Sequence, residues 1–151
     1  MDEKALKRRT KEFAHRCVKL SVTLPRTYLG NHIKGQLIRC STSVASNYRA
    51  ACIAQSRPSF ISKLSIVLEE VDESHFWLEF IIDEQLLSKD RVLPLLREAE
   101  ELTAIFISSR KTARKGTPFI DNRTSKIDRS TDTDESIVPN SKIPVQSSIE
   151  N

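Results

Sequence analysis

Apolar residues recur at alternating spacings of four and three through four successive stretches, and this rhythm leaves few folds open to the chain. In residues 2–24 the series is Leu6, Thr10, Phe13, Cys17, Leu20 and Leu24. In the next stretch it is Ile33, Leu37, Cys40, Val44, Asn47, Ala51 and Ala54. Residues 58–87 give Phe60, Leu64, Val67, Val71, Ser74, Leu78 and Ile81, and the last stretch, to residue 114, gives Val92, Leu95, Ala99, Leu102 and Phe106. Each series is one buried stripe of a helix. Pro25, Ser56-Arg57-Pro58 and Ser88-Lys89-Asp90 punctuate them. Only 3 glycines and 6% aromatic residues argue against a sheet. The pattern predicts an all-α protein, an antiparallel up-down four-helix bundle over residues 1–116. Expected starts are Asn31 as N-cap of the second helix, Ser56 as cap of the third with Pro58 at its first position, and Pro94 within the first turn of the fourth. After Gly116 the composition turns to Ser, Thr, Asp, Asn, Lys and Pro, which predicts a disordered tail over residues 117–151.

The second stretch is built from small residues, so neighbouring backbones can approach it closely. Its seam carries an amide, Asn47, predicted to lie on the buried face. A buried amide needs partners, and a single one in a seam commonly fixes packing register, the structural role expected here. Cys17, Cys40 and Cys52 are odd in number and widely spaced, which fits neither a disulfide framework nor a zinc site. His15, His32 and His75 assemble no metal cluster with them. No metal or cofactor is implied. No apolar run reaches bilayer length and the N-terminus lacks the apolar core of a secretion signal, so the expected location is cytoplasmic, without membrane attachment.

Charge is unevenly distributed. Residues 1–57 carry 12 Lys and Arg against 3 Asp and Glu, whereas residues 58–103 carry 4 against 11. Helical spacing places Lys4, Arg8, Lys11, His15 and Lys19 on one outer stripe of the first helix. It also points Lys34, Arg39, Arg49 and Arg57 away from the seam of the second. Such stripes are the electrostatic footprint of phosphate binding, and equally the default solvated face of a helix. On the third helix Phe76 lies nearly opposite the seam and Trp77 and Phe80 to one side. A second apolar face on a small helical domain predicts a subunit interface. Glu69, Asp72, Glu73, Glu79 and Asp83 fill much of the remaining surface of that helix.

The residues Gln36 to Cys52, with Arg39, Ser43, Val44, Asn47, Tyr48, Arg49 and Ala51 as a spaced set, together with Phe60 to Phe80, resemble the bacterial four helix bundle protein family. That family includes proteins encoded by intervening sequences of 23S ribosomal RNA genes. The accessory variability determinant of diversity-generating retroelements shares its fold group. The resemblance spans roughly residues 8–114. It implies an antiparallel four-helix bundle and a ring of five subunits, and it links the chain to nucleic acid, since the accessory determinant binds RNA or DNA and a reverse transcriptase through a positively charged surface. Ala45 stands where relatives often carry Gly, and Ile53 where many carry a basic residue.

Two functions follow. The first is a non-enzymatic oligomer binding nucleic acid without sequence preference through Lys4, Arg8, Lys11, Lys19, Lys34, Arg39, Arg49 and Arg57. The second is a protein-interaction scaffold in which basic and acidic faces pair between subunits, for example as the accessory partner of a nucleic-acid enzyme. Catalysis is not expected, because no Gly-rich phosphate loop, nucleophile elbow or metal cluster is present. Ser41, Ser43 and Ser46 have no His or acid placed beside them by helical spacing.

Overall fold

The computed structural model describes residues 2–116, so the expected tail lies outside the described residues. Asp2 opens the chain's first helix: its carboxylate accepts from the Ala5 amide at 2.6 Å, satisfying one of the unpaired N–H groups of α1 (Glu3–Ser21). Thr27, not Asn31, caps α2 (Tyr28–Cys52), accepting from the Gly30 amide at 3.0 Å. The helix therefore begins one turn earlier than the sequence suggested. Ser56 caps α3 (Arg57–Asp83) as expected, with Pro58 at its second position. Ser88 stands at the start of α4 (Lys89–Arg114) without a side-chain cap bond. Pro94 sits in the second turn of α4 rather than the first, and the chain stays helical through it.

Two helix ends need a left-handed residue. Gln85 has φ 52°, the only non-glycine with positive φ among the described residues, and it lets the Leu86 amide reach back to the Ile81 carbonyl at 3.0 Å. Gly116, just after α4, is also left-handed, with φ 83°.

Short connections make successive helices antiparallel neighbours, and α4 returns to α1 over a narrower strip than the other three contacts. Among the described residues α1 does not neighbour α3, so these two helices occupy opposite corners of a square bundle. All six α1 seam positions and all five of α4 are buried. The α3 seam is buried from Leu64 to Ile81, with Phe60 half-buried at its start. In α2 the expected series is buried at Ile33, Leu37, Cys40, Val44 and Ala51 but not at Asn47. Tyr48 is 6% exposed, whereas Asn47 is half-buried; Ala54, also half-buried, lies beyond the end of α2. The cause is geometric: a straight helix of 3.6 residues per turn drifts about 20° per heptad from a strict four-three pattern. Tyr48 crosses the core to meet Phe106 with ring centroids 5.3 Å apart. Asn47 instead donates from Nδ2 to the Ser43 carbonyl at 3.0 Å and the Ser43 hydroxyl at 2.9 Å, within its own helix.

Buried hydroxyls are all accounted for locally. Ser41 donates to the Leu37 carbonyl at 2.6 Å, Ser21 to that of Cys17 at 2.8 Å, and Ser74 to that of Glu70 at 2.7 Å. The three cysteines are unpaired. Cys17 and Cys40 are fully buried, and burial pushes the Cys40 thiol up to about 11 and the Cys17 thiol higher still. No helix among the described residues is long and apolar enough to cross a membrane.

Candidate nucleic-acid interface

The structure separates the eight predicted phosphate contacts into groups. On α1, Lys4, Arg8, Lys11 and Lys19 are all exposed on the side away from the core, with His15 among them. From Lys4 to Lys19 the stripe is about 22 Å long at 1.5 Å per residue. Among the described residues Lys4, Lys11 and Lys19 make no ion pair, and Arg8 approaches Glu12 only at 4.0 Å with both side chains largely in water. A pair of that kind contributes little.

The cations expected on α2 are placed differently. Arg39 is committed to α3: its guanidinium donates to Glu70 at 3.1 Å and to Glu73, so two carboxylates already neutralise it. The Arg39 contact holds the Glu73 carboxyl below its ordinary range. Lys34 is half-buried and Arg49 exposed. Arg57 belongs to α3, as its first residue, and its guanidinium lies beside Gly116 at the end of α4. Of the eight predicted contacts, the exposed cations with no close ionic partner among the described residues are thus the α1 stripe and Arg49.

One strong ionic contact was not legible in the sequence. Arg9 bridges α1 to α4 through Glu98, with Nε to Oε1 at 2.6 Å and Nη2 to Oε2 at 3.0 Å, and through Glu101. This bidentate clamp raises the Arg9 pKa above its ordinary value and fixes α4 where its strip against α1 is narrow.

Phe76, Trp77 and Phe80 come together on α3. The Phe76 and Trp77 rings are 4.9 Å apart, and Trp77 and Phe80 5.9 Å. His32 of α2 adds an edge contact to Trp77 at 5.5 Å. Phe76 is 49% exposed, whereas Trp77 and Phe80 are half-buried and pack against the core. The cluster lies on the helix diagonally opposite the α1 stripe.

A cleft of about 620 Å³ opens at the end where α1 begins and α4 finishes, lined by Leu6, Tyr48, Cys52, Phe60 and Ile105 among others. Burial raises both the Tyr48 phenol and the Cys52 thiol, the reverse of what an activated nucleophile requires. Among the described residues no group of His, Cys, Asp and Glu is arranged to hold a metal ion.

The family defined as 23S rRNA-intervening sequence protein matches residues 3–108, which is most of the chain and all but the last turns of α4. The chain belongs to that family. A crystal structure of a protein of unknown function from the S23 ribosomal protein family, from Bacteroides thetaiotaomicron, is similar to this family member at 33% identity and a TM-score of 0.66. The similarity covers 70% of this chain and 97% of that one. No curated protein matches. As a 23S rRNA-intervening sequence protein, the chain falls in a family whose description names no reaction.

Proposed function

We propose that this bundle is a non-enzymatic, cytoplasmic protein that binds the phosphate backbone of RNA or DNA through the outer face of α1, without reading sequence. The observation that carries the reading is the stripe of Lys4, Arg8, Lys11 and Lys19, exposed along one helix with no strong partner among the described residues. Solvated cations at that spacing release counterions from a polyanion on contact. Arg49 extends the charge from the last turn of α2, while Arg39 is withdrawn by Glu70 and Glu73. The unpaired cysteines suit a reducing compartment. A gel-shift series at low salt tests the proposal: the parent retards RNA or DNA, and Lys11→Glu with Lys19→Glu abolishes retardation while leaving oligomeric mass unchanged. Loss of assembly in that variant instead favours the scaffold reading, in which the α1 cations meet the acidic α3 of a neighbouring subunit. The ring of five subunits implied by the resemblance would repeat the α1 stripe around its circumference.

A further inference from the structure

The surface between α2 and α3 sets the exposed ring of Phe76 and the half-buried rings of Trp77 and Phe80 beside solvated carboxylates. Tyr28, the first residue of α2, is 91% exposed and stands one turn before His32 on the same side of the helix. His32 leads by ring contact to Trp77, and Trp77 to Phe76 and Phe80. Around these rings α3 is acidic. Glu69 and Asp72 precede Phe76 by about two turns and one, and Asp83 and Glu84 follow Phe80 by about one, all exposed and none in an ion pair among the described residues. From Leu64 to Ser88 the chain contains no Lys or Arg.

The same surface already holds one guanidinium. Arg39 is gripped by Glu70 and Glu73, and Glu73 also accepts from the Trp77 indole at 3.3 Å. One turn further along α3 the chemistry repeats, with rings and carboxylates but no cation supplied. We infer that this aromatic and acidic face docks an arginine-rich segment of another protein, with guanidinium planes stacked on Phe76, Trp77 and Phe80 and bonded to the flanking carboxylates. Arginine fits better than lysine because its planar fork both stacks on a ring and bonds a carboxylate in two places. A second copy's α1 fits poorly, since its stripe of Lys4, Arg8, Lys11, His15 and Lys19 offers no apolar side chain to cover Phe76. The inference is independent of the α1 reading and concerns the opposite corner of the bundle.

Trp77 is the only tryptophan of the chain, so its emission reports this face directly. The full chain is titrated with hepta-arginine and with hepta-lysine at equal ionic strength. The inference predicts a saturable change in Trp77 emission with hepta-arginine, about tenfold tighter than with hepta-lysine. Glu69→Gln with Asp72→Asn, both exposed and dispensable to the core, weakens it about tenfold, and Phe76→Ser does the same. Lys11→Glu with Lys19→Glu leaves peptide binding intact even where RNA binding is lost. Equal affinity for the two peptides overturns the inference, as does unaltered emission. So does emission that changes with protein concentration and not with peptide, which assigns the face to a second copy.

Discussion

Replacing Arg9 by methionine keeps an apolar stem against α1 but strands Glu98. The Glu98 side chain is only 17% exposed and that of Arg9 22%, so the carboxylate loses its two-point partner in a largely dry position. Exposed ion pairs are worth about 0.2–1 kcal/mol, whereas stranding a fully buried charge costs about 3–5 kcal/mol. Glu98 lies between these limits, which places Arg9→Met at about 2 kcal/mol. Glu101 is 65% exposed, and Glu101→Gln should cost under about 0.5 kcal/mol. Arg9→Met with Glu98→Leu removes both charges and should return to within about 1 kcal/mol of the parent. Urea denaturation of the four proteins gives the coupling directly, provided the slopes agree. An Arg9→Met variant within about 0.5 kcal/mol of the parent would refute the claim that this clamp fixes α4 on α1.

Backbone fit gives further expectations. A Cβ at Gly30 would stand 2.1 Å from the Pro25 carbonyl oxygen, so Gly30→Ala should destabilise by about 1–3 kcal/mol, while Gly35 has open space and Gly35→Ala should stabilise by about 1 kcal/mol. Thermal melts of the two single variants must move in opposite directions. Gln85→Gly relieves a left-handed residue and should raise stability by about 1 kcal/mol, read as a higher urea midpoint with unchanged slope. The folded Glu73 carboxyl lies below its ordinary 4.5, chiefly through the Arg39 contact, so its stabilisation is present above pH 4.5 and is lost as pH falls through the lower folded value. Both side chains are partly in water, so the effect is a few tenths of a kcal/mol. Glu73→Gln should flatten the acid limb of the stability curve by roughly that amount, and an unchanged limb would count against the pairing.

The fold was legible because burial writes a period into each helix. The α1 and α4 series were recovered in full, and α3 nearly so. Misreadings arose where a rule of spacing met a local or tertiary fact. Asn47 and Tyr48 differ by one position in a drifting seam, and the larger side chain took the interior. Thr27 captured the cap of α2 because it could reach the Gly30 amide, adding a turn before Asn31. The α1 stripe stands directly opposite its seam, so spacing alone placed Lys4, Arg8, Lys11 and Lys19 in water. Arg39 and Arg9 lie on flanks, where the neighbouring helix decides their fate. No periodicity in α2 discloses that Glu70 and Glu73 will stand across from Arg39. The Phe76, Trp77 and Phe80 cluster could be read on α3, but His32 joined it only through the packing of α2 on α3.

The α1 stripe is tested most directly by the salt dependence of binding. Affinity for a single-stranded RNA is measured by filter retention from low to moderate salt, for the parent and for Lys11→Gln with Lys19→Gln. With each lysine on one phosphate, the slope of log K against log salt should fall in magnitude by about 1.4 for the pair. An identical slope in parent and variant, or no retention of RNA by the parent at low salt, would contradict the account.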